Sequence, residues 1–157
     1  MKRAIVRGWG SSYSWGMTMT RDQLERFATH WAEAWNARAV ETVLEHFHAD
    51  VVFTSPTTLV VTGTPSVRGK EALRAYWALA LTRIDSLVFT LDYTLWDPAR
   101  RELAIIYTAE INGQTRRVSE NLRFDEHDQV IAGEVFHGVA QVQSIPMSST
   151  STLAPPA

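Results

Sequence analysis

Three pieces of sequence decide the fold: Trp31-Ala-Glu-Ala-Trp35, then Phe47-His-Ala-Asp-Val-Val-Phe-Thr-Ser-Pro56, then Arg68-Gly-Lys-Glu-Ala-Leu73. The first lies in a helical pattern. Leu24, Phe27, Ala28, Trp31, Ala34 and Trp35 recur at three- and four-residue spacing and form one apolar stripe. Thr20 with Gln23 three residues on predicts a capping box, and Asn36 ends the helix. A shorter helix is predicted over 39–46. A strand over 50–55 stops at Pro56. A loop over 56–67 carries two prolines and a glycine, and a third helix over 70–82 puts Leu73, Tyr76, Trp77 and Ala80 on one side.

From residue 87 the period changes to two. Leu87, Phe89, Leu91, Tyr93 and Leu95 alternate with Val88, Thr90, Asp92, Thr94 and Trp96, which predicts a strand. Asp97-Pro98 makes a turn, 103–111 a second strand, and Asn112-Gly113 the strongest hairpin signal in the chain. Strands over 114–124 and 129–142 follow, joined by a turn over 125–128. Helices first and long strands afterwards read as α+β, a curved antiparallel sheet wrapped around three N-terminal helices in a cone.

Composition agrees with one folded unit. The chain has 157 residues, 45% hydrophobic and 20% charged, with a formal net charge of −2. Arg100-Arg101 and Arg116-Arg117 are isolated pairs, so no nucleic-acid footprint is expected. No apolar run reaches the roughly 18 residues of a membrane span. Cysteine is absent, which excludes thiol chemistry and Cys-ligated metals and is compatible with a cytoplasmic location. Residues 1–18 read as a flexible N-terminal extension that lacks the long apolar segment of a signal peptide. Residues 144–157 (SIPMSSTSTLAPPA) read as a disordered tail, leaving a domain over 19–143.

Strand parity sorts the inside from the outside. A two-residue turn at Asn112-Gly113 pairs Ile111 with Gln114, Ala109 with Arg116, Tyr107 with Val118 and Ile105 with Glu120, and paired residues share a face. The inner face then carries Leu103, Ile105, Tyr107, Ala109, Val118, Glu120, Leu122 and Phe124. A four-residue turn over 125–128 pairs Phe124 with Gln129 and sets Glu120 opposite Gly133. Ile131, Val135, His137 and Val139 join the same face. The outer face carries Arg117, Ser119, Asn121 and Arg123 with Trp96, polar enough for solvent or a wet dimer surface.

These residues resemble the nuclear-transport-factor-2-like superfamily, the cone fold shared by ketosteroid isomerases, limonene epoxide hydrolases and SnoaL-like polyketide cyclases. The likeness covers about residues 20–140 and is nearest the bacterial SnoaL-like proteins. It also includes Leu122-Arg-Phe-Asp-Glu-His-Asp-Gln-Val130. The resemblance implies a pocket inside the cone and a homodimer through the sheet. Ketosteroid isomerases keep an aspartate base where this chain has Ser55, and a tyrosine donor where the first helix carries Trp31. Their protonated aspartate, three residues before an Arg-Phe pair, corresponds to Glu120. A pocket aromatic on the last strand corresponds to His137. The Asp-Arg-Asp arrangement of the epoxide hydrolases has no counterpart, with Val135 near the last aspartate's place. Two of three isomerase roles are missing, which argues against steroid-type isomerisation.

Two classes of function stay open: a cofactor-free isomerase, cyclase or hydratase with Glu120 as its one acid/base and Tyr107 and His137 as helpers, or a non-catalytic ligand-binding or dimerisation module of the same fold. Glu120 among apolar neighbours is either an acid raised into the neutral range or a carboxylate paired with Arg116 or a helix residue. In the simple register His137 faces Arg116 and stands four residues from Gly133, roughly 13 Å at strand rise, so a direct dyad with Glu120 needs a bulge or strong curvature. Tyr107, diagonal to Glu120, is a donor or a core aromatic. Ser55 reads as a cap rather than a nucleophile. Trp31, Trp35, Phe53, Ser55, Trp77, Ile105, Val118, Leu122 and Val135 are the candidate walls for a small apolar molecule. His46, His48 and the acids near them fit no standard metal site, and no cofactor is expected.

Overall fold

The computed structural model describes residues 19–141, and the two predicted terminal segments lie outside them. The elements run α1 (Arg21–Asn36), α2 (Val40–Leu44), β1 (Phe47–Thr54), α3 (Pro56–Thr62), β2 (Ser66–Arg68), α4 (Lys70–Thr82), β3 (Leu87–Asp97), β4 (Glu102–Ile111), β5 (Gln114–Phe124) and β6 (Val130–Ala140). The fold is α+β, one six-stranded sheet in the order β2-β1-β6-β5-β4-β3.

Helix α1 forms as its sequence requires. Thr20 accepts from the Gln23 amide at 3.2 Å, and the Gln23 side chain accepts from the Thr20 amide at 2.8 Å. A cap of this kind is worth about 1 kcal/mol. The stripe of Leu24, Ala28, Trp31 and Trp35 is buried against the sheet. Asn36 does more than end the helix. Its side-chain amide donates to the Phe89 carbonyl at 2.9 Å and accepts from the Phe89 N–H at 2.7 Å, clamping α1 to β3.

The region over 56–67 is not a plain loop. Ser55 caps α3 by accepting from the Thr57 amide at 3.1 Å, Pro56 occupies the first turn, and Gly63 ends the helix at φ 81°. These are ordinary start and stop signals, masked by the Thr/Val content between them, which has low helix propensity. The helices among the described residues thus number four rather than three. Strand β2 pairs antiparallel with β1, and β1 pairs parallel with β6, so the sheet is mixed at one end and antiparallel elsewhere.

The Asn112-Gly113 hairpin has the predicted register: Ile111 with Gln114, Tyr107 with Val118, Ile105 with Glu120. The β5–β6 register differs. Phe124 pairs with Val130 and Leu122 with Gly133, so Val135, not Gly133, lies opposite Glu120. The slip amounts to two residues along most of the pairing, and a two-residue slip leaves each side chain on its face. Gly133, Val135 and His137 therefore stay inside. Irregularities between Arg123/Phe124 and between Arg116/Val118 absorb the difference, and the second leaves Val139 88% exposed instead of buried. A third, between Leu91 and Tyr93, reverses the phase of β3. Tyr93 and Leu95 turn outward, while Trp96 packs inward, edge-on to Phe124 at 6.1 Å.

Pairing across the sheet builds inner rows. Trp96, Leu103, Leu122, Gly133 and Phe53 make one; Thr94, Ile105, Glu120 and Val135 the next; Leu91, Tyr107, Val118 and His137 a third; Phe89, Ala109 and Arg116 a fourth. Successive rows advance toward the Asn112-Gly113 hairpin by two residues, roughly 6–7 Å. Leu103 and Leu122 of the first row lie in solid core, Phe53 at its end reaches a cavity, and the later rows open into that cavity.

Candidate functional site

The cavity has a volume of about 510 Å³. Its sheet wall comes from Tyr107, Val118, Glu120, Val135 and His137. Phe53 and Ser55 of the β1–α3 corner close one side, and Trp35 of α1 with Tyr76 and Trp77 of α4 close another. Arg83, Asn112, Gln114 and Arg116 stand at the hairpin end. An open surface groove of about 590 Å³ between α1 and β3 carries no buried titratable group, so the chemistry concentrates in the inner cavity.

Among the described residues Glu120 is the one charged-type side chain in the buried set, at 4% exposure. Tyr107 donates its hydroxyl to Glu120 Oε2 at 3.4 Å, and Glu120 Oε1 is buried without a partner among the described residues. Arg116 is not its ion-pair partner. Burial pushes the carboxyl up to about 8, while the Tyr107 hydrogen bond pulls it down. At neutral pH Glu120 is mainly a neutral acid. Burial likewise drives the Tyr107 phenol well above its ordinary range, aided by Glu120. Tyr76 is raised by burial against the lowering influence of the Thr58 hydroxyl.

His137 stands opposite Val118, one row from Glu120. Arg116 Nη1 lies 3.1 Å from His137 Nδ1. A guanidinium only donates, so Nδ1 accepts and the ring proton sits on Nε2. Burial, then the Arg116 charge, lowers the His137 pKa. The ring is a neutral donor at Nε2, not a free base. The register brings His137 nearer to Glu120 than the simple pairing does, yet no hydrogen bond joins them.

Of the expected wall residues, Trp35, Phe53, Ser55, Trp77, Val118 and Val135 line the cavity. Trp31, Ile105 and Leu122 do not. Ile105 and Leu122 are fully buried, Ile105 beside Glu120 and Leu122 in the solid row beyond it. Trp31 backs the wall instead, edge-on to Tyr107 at 5.0 Å and stacked on Phe89 at 5.8 Å. Ser55 Oγ accepts the α3 cap bond and has no histidine hydrogen-bonded to it among the described residues, which supports the cap reading. Tyr76, Phe89 and Arg83 also line the cavity. Tyr76 and Phe89 carry a sequence signal only as apolar-face residues, and Arg83 carries none.

His30, Glu45 and His46 bring ligand-type atoms within 4.8 Å of one another on the surface, away from the cavity. His46 is lowered by burial and by His30.

Comparison with known proteins agrees with this fold. The SnoaL-like domain model matches residues 28–125. A SnoaL-like protein of unknown function from Burkholderia thailandensis superposes with a TM-score of 0.71 at 27% identity, over 78% of this chain and 100% of that one. A protein with a cystatin-like fold from Methylobium petroleophilum gives 0.64 at 18% identity, over 89% and 100%. An NTF2-like protein from Cytophaga hutchinsonii gives 0.57 at 11% identity, over 78% and 93%. Among curated proteins none matches the sequence. With its helices seated on a six-stranded curved sheet and the family model matched along most of that unit, the chain belongs to the SnoaL-like domain family, on the cystatin-like/NTF2-like fold.

Proposed function

We propose that the cavity takes up a small, largely apolar molecule and that Glu120 acts on it by proton transfer without a cofactor, in an isomerase, cyclase or hydratase reaction. One observation carries the reading: a buried carboxyl with one oxygen unpartnered, on the wall of an aromatic cavity. An acid poised near neutral pH, shielded from water, both donates to a ligand oxygen and exchanges its proton. Tyr107 steadies the carboxyl, and His137 offers Nε2–H from the next row.

A second reading, binding without chemistry, is favoured by the state of the other cavity groups. His137 Nδ1 is occupied by Arg116, and Ser55 Oγ, which accepts the α3 cap bond, has no histidine beside it to activate it, so no second base stands free on the lining among the described residues. Pairing of two copies through the outer face goes with either reading. Tyr93, Ile106, Ser119 and Phe136 form a row there, and Tyr93 and Phe136 are about half exposed.

The test is a carbon-13 titration of the Glu120 carboxyl. A midpoint near 8 is expected. A midpoint at the ordinary value near 4.5 overturns proton-transfer chemistry at this residue and leaves the binding reading. Light scattering at several concentrations tests the dimer, and a monomer at every concentration overturns it.

A further inference from the structure

Three arginines among the described residues are half-buried: Arg74, Arg101 and Arg116. Arg74 is paired with Glu41 and Glu71, and Arg101 with Asp128. Even exposed Arg117, the next residue on the outer face, is paired with Asp92. Arg116 alone of the half-buried three meets no carboxylate. Its one side-chain hydrogen bond runs to His137, which leaves most of the guanidinium N–H groups uncommitted on the cavity wall. A partly desolvated cation beside apolar walls is costly unless an anion meets it.

The rest of the cavity has the same bias toward donors. Trp35 Nε1 is buried without a partner. His137 has Nε2–H, for the reason given above. Arg83 adds a second positive charge at the hairpin end and makes no ion pair among the described residues. The sole carboxyl on the lining is Glu120. Arg116 and Glu120 sit on one face of β5, four residues apart, roughly 13 Å along the strand.

We infer that the ligand of this cavity is an amphipathic carboxylate, with its carboxylate on the Arg116 guanidinium, its apolar body along Trp35, Trp77 and Val118, and a second oxygen reaching toward Glu120. The inference rests on the small-molecule reading above and adds the charge and length of the molecule. A guanidinium fork matches a carboxylate through two parallel hydrogen bonds, and its weak hydration suits a half-dry wall. His137 is a positioning residue here, because it holds one N–H of Arg116 and turns the others toward the cavity.

The test uses the full chain and three probes with the same apolar body: 4-phenylbutyrate, its methyl ester and 4-phenylbutylamine. Amide shifts of Val118, Gln114 and Val135 report occupancy. The acid is expected to bind at least tenfold more tightly than the ester, and the amine more weakly than either. Arg116→Gln is expected to abolish the preference for the acid while ester binding persists, which shows that the cavity is still folded. Arg116→Lys is expected to restore part of it. Equal affinity for acid and ester in the native chain, or a preference for the amine, overturns the carboxylate inference and leaves the small-molecule reading standing. No cavity shift with any probe at millimolar concentration overturns both. A preference for the acid that survives in Arg116→Gln overturns the assignment to Arg116.

Discussion

Tyr107 and Glu120 lie on neighbouring strands, two residue pairs apart and in adjacent inner rows, and the phenol donates to carboxyl Oε2 across 3.4 Å while Oε1 has no partner among the described residues. Charging this carboxyl is therefore costly. Its folded-state pKa of about 8 lies above the ordinary 4.5, so the folded chain holds a proton that the unfolded chain releases. Glu120 lowers stability progressively as pH rises from about 4.5 to about 8, and the loss then levels off. Glu120→Gln keeps the shape of the acid without its charge. The variant should match the native chain at pH 4 and exceed it by a few kcal/mol, to order of magnitude, above pH 8. Urea melts at both pH values measure this, and equal stability at pH 8.5 would sink the idea.

Tyr107→Phe removes the donor that favours the charged carboxylate. The Glu120 titration midpoint should move further up. Aromatic packing against Trp31 and Phe89 should hold, with a stability change of about 1 kcal/mol at acidic pH. A downward move of the midpoint would show that burial, not this bond, is being altered.

His137 should carry its proton on Nε2 in long-range nitrogen-15 spectra at pH 7, and its titration midpoint should fall below the ordinary 6.5. Its lowered pKa means that the unfolded chain gains a proton first as pH falls, so this group costs stability below about pH 6.5. A proton found on Nδ1 would contradict the Arg116 contact.

Gly138→Ala should destabilise by about 1–3 kcal/mol, as overpacking does. A Cβ there would come within 2.8 Å of the Arg117 carbonyl oxygen, a backbone atom that cannot simply swing away. Because this position belongs to the irregular pairing between His137 and Ala140, the ring signals of His137 should shift as well. Unchanged melting and unchanged ring signals together would refute the close approach.

Asn36→Ala should cost about 2 kcal/mol, since two hydrogen bonds tie α1 to Phe89 on the edge strand. Hydrogen exchange of the Phe89 amide should accelerate more than that of Tyr107 at the centre of β4. Equal acceleration would mean global unfolding rather than release of this clamp.

What the sequence determined by itself is local. The Thr20–Gln23 box, the helical stripe through Trp35, the helix over 70–82 and the Asn112-Gly113 register all follow from spacings of two to four residues, and all are present. So is the inner position of Glu120, Tyr107 and His137, because even a two-residue slip leaves parity intact. Tertiary structure decided the rest. Bulges turned Trp96 inward and Val139 outward, and nothing within those strands announces them. Parity places Ile105, Leu122, Tyr107 and Val118 on one face, but only the last two meet the cavity. Where the core ends depends on how far α1 and α4 reach across the sheet, a distance set by residues many positions away. The same holds for Arg116. Its charge is visible in the sequence, whereas the lack of a carboxylate beside it exists only once the chain has folded around it.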